Sequence, residues 1–65
     1  MPSSVIQRYL YDQGKQELIV TFVTGRTYAY QDVPREIYDA FAAASSKGAF
    51  FNAEIRDTYY MRELD

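Results

Sequence analysis

Gln16-Glu17-Leu18-Ile19-Val20-Thr21-Phe22-Val23-Thr24-Gly25-Arg26-Thr27-Tyr28-Ala29-Tyr30 is the stretch on which the fold turns. Leu18, Val20 and Phe22 share one parity, and Glu17, Ile19, Thr21 and Val23 share the other. That period of two is the mark of a strand over Gln16 to Thr24. The second stripe is too apolar to be simply wet. Thr24-Gly25-Arg26 then makes a tight hairpin, because Gly25 accepts a positive φ without steric cost. Thr27 to Gln31 returns as a short third strand that carries Tyr28 and Tyr30 on one face. Toward the amino end, Ser4 to Asp12 is a β-branched and aromatic run closed by the turn residues Asp12-Gln13-Gly14-Lys15. Val5, Tyr9 and Tyr11 share one parity there and Ile6 and Leu10 the other, and a bulge would move Ile6 onto the tyrosine face. The expected sheet is a three-stranded antiparallel meander.

Toward the carboxyl end, Pro34 excludes Val33 from helical backbone but suits a first helical position, so a helix is expected from about Pro34 to Ala44. Glu36 lies in its first turn, at the positive end of the dipole. Ile37, Tyr38, Phe41 and Ala44 recur at helical spacing and form the face laid on the sheet. Ser45-Ser46-Lys47-Gly48 breaks the helix, and Ser46 caps a short second one, over about Ser46 to Glu54, with Phe51 and Ile55 on one side. Tyr59, Tyr60 and Met61 fit either a last turn or an edge strand, and residues 61–65 are expected to fray. The prediction is a small α+β domain over residues 3–60: a three-stranded meander, an amphipathic helix and a short second helix.

Composition narrows the chemistry. Sixty-five residues make one domain, and 48% hydrophobic with 17% aromatic content is too apolar for a disordered tail. There is no Cys and no His, which removes disulfides, thiolate metal sites and the commonest general base. Ser45 and Ser46 have no histidine to activate them, Lys47 is too near in sequence for a turn-spaced dyad, and the acids are scattered without a calcium-loop spacing. The expectation is a protein that is not an enzyme and takes no cofactor or metal. Seven Lys and Arg against nine Asp and Glu give a net charge of −2, which excludes a basic nucleic-acid coat but not a local patch. No apolar run reaches the roughly 18 residues of a membrane span and the start lacks signal-peptide regions, so the expected location is cytoplasmic.

The order of several pieces carries a resemblance: Ser3-Ser4 before Ile6, Tyr11-Asp12, Leu18 with Val20 and Phe22, Gly25, Tyr28-Ala29-Tyr30 leading to Val33-Pro34, Tyr38, Ser46-Lys47-Gly48, Phe51-Asn52 and Ile55-Arg56. Taken together they resemble the KTSC domain family over about residues 3 to 60. Leu10 and Asp57 depart from the small or neutral residues expected at those places. The resemblance implies a small domain that occurs at the carboxyl end of some lysyl-tRNA synthetases and as stand-alone bacterial and phage proteins. RNA binding has been suggested for that family, with no established function.

Two groups of residues are candidate binding sites. Arg26, Tyr28 and Tyr30 alternate onto one strand face, as stacking on single-stranded RNA or tRNA with phosphate attraction would require. The structural alternative is that the tyrosine rings pack under the helix with their hydroxyls at the rim. Ser46, Lys47 and Gly48 precede a helix amino end, with Arg56 able to add a guanidinium and Asn52 an amide. The alternative there is an ordinary serine cap and an amide bonded to nearby backbone. A helix-turn-helix is disfavoured, because Ala49 to Glu54 offers no base to a groove. The adjacent pairs Phe50-Phe51 and Tyr59-Tyr60 suggest one exposed ring in each. With Ile19 and Val23 these rings would make an apolar patch for a protein partner or self-association, unless the carboxyl tail covers that face. The two functional expectations are a weak RNA-binding or RNA-associated module and, alternatively, a protein-interaction domain or homodimer.

Overall fold

The structure, a computed structural model, describes residues 5–64; Ser3, Ser4 and Asp65 lie outside the described residues. Chain order is β1 (Ile6–Asp12), β2 (Glu17–Phe22), β3 (Thr27–Tyr30), α1 (Arg35–Ala43), α2 (Lys47–Phe50) running straight into a π-turn (Phe51–Ile55), and β4 (Met61–Glu63). All strands are antiparallel and the sheet order is β1-β2-β3-β4.

The α+β architecture agrees with the sequence reading, but the sheet has four strands where three were expected. Met61–Glu63 pairs with Tyr28, Ala29 and Tyr30 instead of fraying. A three-residue strand is too short to show alternation, and its partner β3 is what holds it. The bulge does occur: Ile6 pairs with Phe22 and Arg8 with Thr21, leaving Gln7 as the extra residue. Ile6, Tyr9 and Tyr11 consequently pack on the core side, while Leu10 points out at 64% exposure.

One face of the sheet is covered. Leu18, Val20, Tyr30, Val33, Phe41, Phe51 and Ile55 form the buried cluster. Each fully buried apolar side chain of this size contributes about 1.5 to 3 kcal/mol relative to exposure. Helix α1 lies over β1, with the Phe41 ring edge-on to Tyr9 at 5.0 Å and Tyr38 stacked on Tyr11 at 4.5 Å. The π-turn lies over β2 and β3, with Phe51 edge-on to Phe22 at 5.4 Å and to Tyr30 at 5.2 Å. Phe50 turns the other way, toward Phe41 at 6.2 Å. Adjacent rings therefore both pack, against different elements, and the expected exposed ring of this pair is absent; in the second pair Tyr60 is 76% exposed.

The connections are set by particular residues. Gly25 has φ 94° and donates its N–H to the Phe22 carbonyl, closing the β2–β3 hairpin. Gln16 and Asp32 are non-glycine residues in left-handed backbone, at φ 54° and 58°. Gln16 presents its carbonyl to the Val33 N–H at 2.8 Å, and the Val33 carbonyl accepts the Tyr11 hydroxyl at 2.6 Å. Both main-chain groups of Val33 are thus satisfied by the β1–β2 hairpin, which fixes where α1 starts. Pro34, expected as the first helical residue, is instead the residue before α1, with ψ 153°, so the helix begins one place later, at Arg35.

The other face carries no helix. Arg62 on β4 reaches past β3 to bond Glu17 on β2 at 3.2 Å, and Thr21 bonds Thr27 at 3.1 Å, so the two buried polar residues of β2 are partnered. The carboxyl segment extends the sheet and covers this face only in part, through the Arg62 side chain: Glu17, Thr21 and Ala29 are buried there while Val23 stays 60% exposed. Among the described residues, no helix is long and apolar enough to cross a membrane.

Candidate functional site

A groove of about 530 Å³ opens between the β3–β4 side of the sheet and the π-turn. Its lining is Val5, Phe22, Tyr28, Tyr30, Phe51, Asn52, Arg56, Asp57 and Met61. The strands supply the floor because Tyr28, Tyr30 and Met61 share the face toward the helices, Tyr30 lying directly opposite Met61. The π-turn supplies the rim. Its Arg56 N–H bonds the Phe51 carbonyl, five residues back, and Phe51 and Ile55 are buried while Asn52 and Arg56 are exposed. Arg56 Nη1 donates to Asn52 Oδ1 at 3.5 Å, at the limit of a hydrogen bond.

The predicted site residues separate into two groups. Tyr28, Tyr30, Asn52 and Arg56 come together in the groove, where their sequence separation of up to 28 residues gave no hint of contact. Ser46, Lys47 and Gly48 do not line it. Ser46 Oγ accepts the Ala49 N–H at 3.2 Å as a helix cap, Gly48 is buried, and Lys47 Nζ reaches the Ala44 carbonyl at 3.4 Å and stands 6.0 Å from the Tyr9 ring centre. Arg26 is engaged with Glu63 at 3.5 Å. Tyr30 is 4% exposed, so its ring is core, whereas Tyr28 is half-buried. Sequence reasoning missed Phe22, Met61, Val5, Phe51 and Asp57 as lining residues. The first two read as core or tail by pattern, and only β4 pairing brings Met61 into place.

The electrostatics of the groove are mixed. Burial raises the Tyr30 phenol above its ordinary value, with neighbouring Tyr28 and Asp57 adding to the rise and Arg56 opposing it. The phenol stays neutral and a donor near neutral pH. Opposite charges on Arg56 and Asp57 therefore flank a mostly aromatic floor. Among the described residues, no three His, Cys, Asp or Glu side chains gather as metal ligands would.

The family model for the KTSC domain matches residues 2–60. The chain belongs to the KTSC domain family. A protein of Tsukamurella paurometabola is 39% identical over 57 residues, which are 88% of this chain and 85% of that relative. A lysine–tRNA ligase of Nostoc punctiforme is 34% identical over 61 residues, 94% of this chain but 11% of the ligase. The crystal structure of a KTSC domain protein from Yersinia pestis has a TM-score of 0.93 at 32% identity, over 100% of this chain and 92% of that one. The KTSC match ends at residue 60, so β4 and its Met61 follow the matched segment directly.

Proposed function

We propose that this KTSC domain is a non-catalytic protein-interaction module that seats an apolar side chain of a partner in the groove. The observation that supports it is the lining: aromatic and thioether surface from Phe22, Tyr28, Phe51 and Met61, rimmed by an amide, a guanidinium and a carboxylate. Such a floor offers apolar burial, and a rim of both signs suits the alternating dipoles of a peptide. A polyanion would meet one guanidinium beside a carboxylate. Arg26 is paired with Glu63 and Lys47 lies outside the lining.

The lysine–tRNA ligase relative favours a second reading, in which the groove side associates with RNA through Arg26, Tyr28 and Arg56. Salt separates the two, because phosphate contacts weaken steeply with ionic strength and apolar burial does not. The test is an amide chemical-shift titration of labelled protein with a pool of short apolar peptides, mixed tRNA and single-stranded RNA, at roughly 50 and 200 mM salt. The interaction reading expects peptide-induced shifts at Tyr28, Asn52, Arg56 and Met61 that persist at the higher salt. Shifts from RNA alone, lost at the higher salt, would replace it with the RNA reading.

A further inference from the structure

Resting on that interaction reading, we infer that the free edge of β4 receives an extended peptide as a fifth, antiparallel strand whose side chains enter the groove. The hydrogen-bond register fixes which atoms are offered. Leu64 donates its N–H to the Thr27 carbonyl, and Gln31 donates to the Tyr60 carbonyl. In an antiparallel ladder bonded pairs alternate, so Arg62 bonds Ala29, while the N–H and C=O groups of Met61 and Glu63 point away from β3. The neighbouring ladder agrees: Phe22 bonds the Arg26 carbonyl, which directs Tyr28 and Tyr30 toward β2 and leaves Thr27, Ala29 and Gln31 for β4. Strand order places β4 last, and no described strand pairs with its far side. All three β4 residues are exposed.

Edge and groove lie on the same side. Side chains directly opposite each other in a ladder share a face, so residues paired with Met61 and Glu63 project toward the helices, as those two do. A residue opposite Met61 therefore overhangs the groove that Met61 lines. This is the arrangement of strand addition, in which main-chain bonds give affinity and alternate side chains give specificity.

Charge selects the occupant. Glu63 faces the groove side and Arg62 the opposite side; although Glu63 meets Arg26 and Arg62 meets Glu17, their side chains stay 41% and 54% exposed, so an antiparallel partner read from its amino end is basic opposite Glu63, acidic opposite Arg62 and apolar opposite Met61. A second copy of β4 fits poorly. Matching Met61 with Glu63 of the other copy sets Arg62 against Arg62, and matching Glu63 with itself sets two carboxylates together. Matching Met61 with itself runs Glu63 against Tyr59, in the bend before the strand.

The probe is a blocked pentapeptide with lysine, glutamate and leucine in that order between threonines, titrated into labelled full-length chain. The expected result is shifts at the Met61 and Glu63 amides together with Tyr28, Asn52 and Arg56. Methylating the peptide nitrogens of its lysine and leucine deletes two ladder donors and should weaken binding by roughly thirtyfold. Exchanging lysine and glutamate should weaken it by about fivefold. Equal binding by the methylated peptide would overturn strand addition and leave the groove reading standing. Silence from this peptide, with groove shifts from the apolar pool, would do the same. Silence from both would remove the two together.

Discussion

Tyr11→Phe removes one oxygen and tests how the sheet is latched to the first helix. The Tyr11 hydroxyl donates to the Val33 carbonyl at 2.6 Å, across 22 residues of sequence, while its ring stacks on Tyr38 with planes 6° apart. Phenylalanine keeps the stack and deletes the donor. The Val33 residue is fully buried, so its carbonyl has little recourse to water, and an acceptor left in that state costs about 1 to 3 kcal/mol. A core of this size supplies only about 3 to 5 kcal/mol in total. The substitution should therefore lower the melting temperature by about 4 to 24 °C, at roughly 4 to 8 °C per kcal/mol for a small domain. Urea unfolding should show a lower midpoint with an unchanged slope. Tyr60→Phe, at an exposed ring, is the matched control and should melt with the wild type. Coincident unfolding curves for Tyr11→Phe and Tyr60→Phe would refute the latch.

Alkaline pH should destabilise the fold in a defined window. Burial is the leading cause that raises both the Tyr11 and Tyr30 phenols above their ordinary value of 10.0, so their stabilisation is complete below that pH and is lost as pH climbs through the raised folded values. Melting temperature against pH should be flat below about 10 and fall above it; a fall beginning near neutrality would contradict this origin. Ser46→Ala deletes the cap on the Ala49 N–H and should cost about 1 kcal/mol in urea unfolding while leaving the groove amides unshifted. Arg62→Ala strips the partner from the mostly buried Glu17 carboxylate, and should cost about 1 to 2 kcal/mol and speed hydrogen exchange at the Leu64 amide. Phe41→Ala empties the centre of the core at about 3 to 5 kcal/mol, so far-UV circular dichroism should report a largely unfolded chain at 25 °C.

The parts legible in the sequence were those whose signal is local. Alternation over Leu18, Val20 and Phe22, the Gly25 turn, Pro34 at the start of a helical period and the Ser46 cap all act within a few residues, and each appears within one residue of where the pattern put it. Even the Gln7 bulge was visible, as a conflict of parity between Ile6 and the tyrosines. What escaped was nonlocal. β4 exists because β3 offers it a ladder, and three exposed residues carry no periodic trace of that. The groove escaped in the same way: Tyr28 and Arg56 attract notice for their chemistry, but they are 28 residues apart and meet because the π-turn packs over β3 through Phe51.

The late return of β4 has a kinetic consequence. β1, β2 and β3 pair through turns of a few residues, whereas joining Tyr30 to Met61 closes a loop of about 30 residues that contains both helices. Loop-closure entropy makes that pairing the slowest to be rewarded, and it becomes favourable only once α1 and the π-turn have collapsed onto the meander. Folding should nucleate on the β2–β3 hairpin with φ-values near one half or above at Val20 and Tyr28, and values near zero at Arg62. Unfolding then begins by shedding β4, so the strand that bears the peptide-receiving edge is also the first part of the domain to let go.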